Sequence, residues 1–257
     1  MAEIFGFTVQ RSKENKAQSF VPPSSDDGTV EIGSASGFFS QYYGTEQTPK
    51  HDFDLIKKYR QAAEHPEADQ AIEDIINEAI VANQDEPSVS LSLDFVNLSD
   101  PIKKKIYGEF THLLKLLQWN SKGSEIFKRW YVDGRVYFHK MVEESNTKQG
   151  IVEIRYIDPK CIKKVREIEP GKVKDGADVV KRVFEYFVFN EDGIYPAFLG
   201  RGSGALTGVR IAVDSVSYIT SGLYEPTTNQ VYSYLHKAIK PVNQLRMIED
   251  AIVIYRI

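Results

Sequence analysis

The sequence is poor in the residues that build chemistry. It has one cysteine, Cys161, in 257 residues, so no disulfide can form within the chain, which fits a reducing compartment. Its histidines, His51, His65, His112, His139 and His236, are scattered, and none stands at a zinc-ligand spacing. No serine sits in a GxSxG elbow, and Cys161 has no local partner that would mark it as a nucleophile. No run of 18 or more apolar residues offers a membrane span, and the first thirty residues hold no apolar stretch of signal-peptide length. A basic excess is missing too: 32 Lys and Arg stand against 36 Asp and Glu, for a net charge of −4. Proteins that grip nucleic acid through its phosphates carry the opposite imbalance. These absences predict no enzymatic activity, no cofactor and no metal.

What is present is a core's worth of apolar side chains. Hydrophobic residues make up 42% of the chain, with 14 Tyr, 14 Phe and 2 Trp, enough for a sizeable interior and for aromatic-rich interfaces. Residues 1–50 read as a flexible N-terminal arm with short extended pieces, polar and Pro/Ser-rich. Its exceptions are Phe38, Phe39, Tyr42 and Tyr43, aromatics expected to dock on the chain's own body or on a neighbouring subunit.

From residue 51 the apolar periodicity becomes regular. Asp52–Ala63 and Pro66–Ala82 show helical spacing, and Ser88–Leu93 alternates as a half-buried strand would. Ser99-Asp100-Pro101 opens a helix expected to run to Trp119, and Ser121 or Ser124 is expected to cap another that ends before Asp133-Gly134. Strands are expected at Arg135–Val142, Gly150–Ile157, Cys161–Ile168, Arg182–Phe189, Arg210–Val213 and Val216–Thr220, with a polar loop over Glu169–Asp178. Helices first, then a mostly antiparallel sheet, then a long helix is an α+β order.

That last stretch, Val231–Ile257, reads as helix throughout, kinked or restarted near Pro241. After the proline, Leu245, Met247, Ile248, Ala251, Ile252, Ile254 and Tyr255 fill one broad arc. Arg246, Glu249 and Asp250 lie on the other. So wide an apolar arc suits a helix wedged between neighbours and wet on one side. No Gly, Asn or Pro stops it, which predicts that the element continues in a longer protein.

Two motifs invite a functional reading. The glycine loop Gly200-Arg201-Gly202-Ser203-Gly204 lacks the following lysine and helix that a phosphate cradle needs. It is the basis of the alternative reading, a nucleotide-using enzyme. Lys128-Arg129-Trp130-Tyr131 mixes cations with aromatics, as base-stacking surfaces do, and would make the chain a nucleic-acid-binding module. Its spacing instead matches a helix end that packs its aromatics inward.

The runs FKRWYVDGRVYFH (Phe127–His139) and EIRYIDPKCIKKV, together with SYITSGLY (Ser217–Tyr224) leading into YSYLHKAIKPVNQLRMIEDAIVIYRI, resemble the portal vertex proteins, or head–tail connectors, of large contractile-tailed bacteriophages. The likeness is strongest from about residue 52 onward. It implies a homo-oligomeric ring, twelve subunits in that family, through which double-stranded DNA passes without sequence readout. It also implies nucleation of head assembly, and partners in a terminase motor, the major capsid protein, the assembly core or scaffold, and neck or tail-completion proteins. The implied location is the unique vertex of the virion, and the host cytoplasm or inner membrane face during assembly. By the same resemblance residues 51–230 correspond to an outer wing domain and 231–257 to the start of a stem helix. Arg246, Glu249 and Asp250 then become candidates for a channel or wet face. Leu245, Ile248, Ile252 and Tyr255, with Phe38, Phe39, Tyr42 and Tyr43, become candidates for subunit contacts.

Overall fold

A computed structural model describes residues 2–4, 7–9, 27–33, 48–81, 88–172, 178–191, 193–194, 208–225 and 229–256. The aromatics Phe38, Phe39, Tyr42 and Tyr43 and the glycine loop 200–204 lie outside these. The fold is mixed α+β, as the order of patterns predicts. Strands β1 (Ala2–Ile4) and β2 (Phe7–Val9) form a small hairpin, and β3 (Val30–Gly33) precedes helices α1 (Thr48–Ala63), α2 (Pro66–Ala79), α3 (Asp100–Leu116) and α4 (Trp119–Asp133). Then come β4 (Arg135–Val142), β5 (Ile151–Ile157), β6 (Ile162–Lys172), β7 (Asp178–Phe189), β8 (Val209–Ala212), β9 (Val216–Thr220), β10 (Tyr224–Glu225), β11 (Gln230–Val231) and α5 (Ile239–Tyr255).

The strands make a four-stranded sheet, β3-β6-β7-β8, and a three-stranded one, β5-β4-β9. Among the described residues every strand pairing is antiparallel except β3 on β6. The two sheets meet through buried Tyr137, Ile162, Phe187 and Val216. Tyr137 lies edge-on to Phe187, with ring centroids 6.0 Å apart, and stacks on Tyr218 at 4.4 Å. Alternation along β4 turns Val136 and Phe138 to the opposite face, toward α3 and α4. A second core joins Tyr59, Ala63, Ile72, Ile76, Val132 and Leu235 between the helices.

Four expectations fail for physical reasons. Ser88–Leu93 alternates but pairs with no strand. Only Leu93 of that run is buried, and a turn follows, with Val96 N–H donating to Leu93 O. The α3–α4 break falls at Gln118, in the left-handed conformation at φ 51°, not at Ser121 or Ser124. The Gln118 carbonyl accepts from the Ser121 and Lys122 amides, so the new helix starts without a side-chain cap. Within the expected loop over Glu169–Asp178, residues 169–172 extend β6 and Asp178 begins β7, with a register shift between Glu169 and Pro170 that absorbs the proline; residues 173–177 lie outside the described ones. Lastly, Val231–Ala238 is not α-helix: Val231 pairs in β11, and Tyr234–Ala238 is a 3₁₀ turn capped by Ser233, whose Oγ accepts from Leu235 N–H at 3.0 Å.

One buried ionic cluster joins the layers. Asp52 of α1 accepts from Lys163 Nζ of β6 and, at 3.0 Å, from Gln230 Nε2 of β11. Arg135 Nη1 of β4 stands 3.2 Å away. Arg135 Nη2 also donates to Val231 O at 2.7 Å. All four side chains are buried. Burial by itself would raise the Asp52 pKa; the charges of Arg135 and Lys163 and the hydrogen bonds from Lys163 and Gln230 outweigh it and hold the carboxyl well below the usual range.

Asp52→Ala is expected to cost about 3–5 kcal/mol in urea unfolding, because it leaves two buried cations uncompensated. The folded-state pKa is depressed, so the ionised carboxylate stabilises the fold above its unfolded pKa, and that contribution fades as pH falls below about 4. The loss of stability between about pH 4 and pH 2 should therefore be steeper in the parent protein than in Asp52→Asn.

Candidate assembly interface

Helix α5 leaves the body at an elbow that the sequence builds with care. Gly134 caps α4 at φ 72°, and a Cβ there would stand 2.7 Å from Tyr232 O, so no other residue lets the two segments cross so closely. Ser233 Oγ donates to Tyr131 O at 2.9 Å, and Tyr234 stacks on Tyr131 at 5.1 Å. His236 Nδ1 lies 2.8 Å from the Tyr59 hydroxyl, with the ring stacked on Tyr232 at 3.9 Å. Pro241 falls in the first turn of α5, where a missing N–H costs nothing.

Beyond the elbow, α5 touches the body along one narrow line. Arg246 Nη2 donates to Gln61 O at 2.9 Å, at the end of α1. Glu249 Oε2 stands 3.5 Å from Nε2 of His65, a buried imidazole between α1 and α2. The carboxylate of Glu67 lies 2.6 Å from Nδ1 of the same ring, out of line for a hydrogen bond. Of the three charged residues picked out on this helix, Arg246 and Glu249 therefore point at the chain's own body, and Asp250 is exposed.

The apolar arc does the reverse. Leu245, Ile248 and Ile252 stand in solvent, with Met247 72% and Tyr255 92% exposed, and none of the helix is buried. Isolated exposed apolar residues are ordinary, but a contiguous row of this kind marks a contact surface.

The cations and aromatics of Lys128–Tyr131 are committed inside the chain. Lys128 pairs with Asp69 at 2.8 Å. Arg129 pairs with Glu125 and lies over the Tyr156 ring. Trp130 Nε1 donates to Thr220 O at 3.1 Å. Arg60 makes a forked bond to Asp133 (2.9 and 2.7 Å) and to Asp158 (3.0 and 3.0 Å), fixing α1 to the end of α4 and the end of β5. Sequence reasoning missed this junction and the Asp52 cluster, whose members are far apart in the chain. Among the described residues no group of three or more His, Cys, Asp or Glu could hold a metal ion, and no helix is long and apolar enough to cross a membrane.

A mixed domain that carries a projecting helix with a bare apolar face is the layout of an assembly subunit. The chain belongs to the family described as Bacteriophage T4-like portal protein (Gp20), whose profile matches residues 52–257. It is 38% identical over 260 residues to the portal protein of Vibrio phage KVP40, covering 97% of this chain and 50% of that one. It is 28% identical over 251 residues to the portal protein of Salmonella phage ViI, covering 94% of this chain and 44% of that one. The chain thus spans about half the length of the curated relatives it matches. The matched region opens at Asp52, the centre of the buried cluster.

Because α5 is held by a few polar contacts, Arg246→Ala combined with His65→Ala should raise amide hydrogen exchange in residues 239–255. Exchange in β4 and β9 should stay near the parent's.

Proposed function

We propose that this chain is part of a structural subunit of a phage portal, a ring at one vertex of the head through which double-stranded DNA is packaged and later ejected. The observation that carries the reading is the apolar row on α5, solvated in the single chain and continuous along the helix. A ring is built head-to-tail, so each subunit must offer two different complementary faces; the α5 row is one of them. In this reading the wing runs through the Tyr234–Ala238 turn and α5 opens the stem at Ile239, eight residues later than the sequence pattern suggests. Membership of the portal family and the likeness to two phage portal proteins support it.

The same reading assigns the partners: copies of itself, twelve by the family resemblance, with a terminase motor, the major capsid protein, the assembly core and neck or tail-completion proteins at the ring's outer faces. It also places nucleation of head assembly on the ring, and its location at the virion vertex after assembly in the host cytoplasm or at the inner membrane face. DNA passes without readout, and Asp250, exposed and anionic, is the channel-face candidate among the three charged residues.

Met247→Ser, Ile248→Ser and Ile252→Ser together should leave the melting temperature of the unassembled protein within a few degrees of the parent, because the side chains removed are already solvated. The variant should fail to form closed rings in negative-stain electron microscopy, and unchanged rings would remove α5 from the interface. In reconstituted pores, Asp250→Lys should alter conductance. Glu249→Lys should act instead by loosening α5 from His65.

A further inference from the structure

Between α3, α4 and the outer face of the three-stranded sheet lies an open groove of about 470 Å³. Leu113, Leu117, Trp119, Trp130, Phe138 and Ile219 are among its walls, and Lys140 is the one charged side chain that lines it. Both indole N–H groups already have partners, Trp119 at Ser88 Oγ (3.0 Å) and Trp130 at Thr220 O (3.1 Å). The tryptophans therefore offer ring surface, not donors. A groove of this size and character takes a few aromatic side chains.

We propose that it receives the aromatic segment Phe38–Tyr43 of a second copy of this chain. The inference rests on the portal reading, which sets copies side by side. The segment has the matching chemistry: within 34–47 there are four aromatics and a single charge, Glu46.

The reach of the chain favours a second copy over the same one. Gly33 pairs with Ile168, six residues along β6 from Ile162, or about 20 Å at the rise of a strand. Ile162 packs with Tyr137 on the inner face of β4, while the groove is on the outer face. Phe38 follows Gly33 by five residues and Tyr43 precedes Thr48, the start of α1, by five, so each end of the segment is within about 17 Å of its anchor at full extension. The other anchor, α1, enters over Arg135, again on the Tyr137 face. Both ends of a chain's own segment are thus tied on the far side of β4 from its own groove. A neighbour's segment is under no such restraint.

The test uses assembled protein made from equal amounts of isotopically light and heavy copies, with a photo-crosslinking phenylalanine analogue at position 39. Crosslinks from heavy arms to light groove peptides, in the proportion that random mixing dictates, are expected. Crosslinks confined to one copy, or none to the groove, overturn the proposal. Ring counts on the same grids separate the two readings. Rings without groove crosslinks remove the arm and leave the portal reading. Crosslinks between copies without rings keep the arm and remove the ring. The chain's two tryptophans both line the groove, so their emission gives an independent readout. In assembled Phe38→Ser/Phe39→Ser the emission should move to the red of the parent's, and an unmoved spectrum overturns the proposal.

Discussion

The architecture depends on one carboxylate kept ionised in the interior. Asp52 is reached by β4 through Arg135, by β6 through Lys163 and by β11 through Gln230. Helix, both sheets and the approach to the last helix are thereby fixed to one point. An interior charge is tolerated only when its partners are correctly placed, and here those partners come from three different strands. The surplus is cationic, and the Arg135 guanidinium uses the Val231 carbonyl as a further acceptor. Burial, and Arg135 beside it, push the Lys163 ammonium pKa down although Asp52 pulls it up.

The packing around this point is closed on one side and open on the other. The inner face of β4 is closed by Tyr137 against Phe187. Its outer face is only half closed, because α3 has no buried residue and leaves a groove beneath it. Phe95, in the turn before α3, is 99% exposed. The Arg60 fork and the Tyr59–His236 contact reach as far as the elbow, and past it Arg246 and Glu249 tie α5 to the body. A domain tied at one end by buried polar contacts and bare along its last helix fits the portal reading proposed above.

Much of this was legible in the sequence where a period was long and its partner close by. The helical spacing of Asp52–Ala63 and the strands at Arg135–Val142 and Val216–Thr220 needed only local patterning and a neighbouring edge. Ser88–Leu93 has the pattern of a strand and no edge to join, which no local rule detects. Gln118 breaks a helix with neither glycine nor proline. Val231–Ala238 has helical composition, yet the Gly134 crossing and the aromatic stack on Tyr131 draw it onto the body. On α5 the two arcs were separable from the wheel, but which arc meets the body was not. An Arg246 bond to a main-chain carbonyl and a Glu249 contact with His65 are properties of a neighbour distant in sequence. Asp52 and Lys163 sat in the pattern as ordinary charges, and only their convergence gives them meaning.

The parallel pairing of β3 on β6 sets a schedule for the nascent chain. Val30 pairs with Val165, so the first of these strands leaves the ribosome well before its template exists. At about 5–20 residues per second of translation the wait is on the order of ten seconds. Throughout that interval the β3 segment has no β6 to pair with. The β3 edge of the four-stranded sheet therefore closes only after α1 to α4, β4 and β5 have been made.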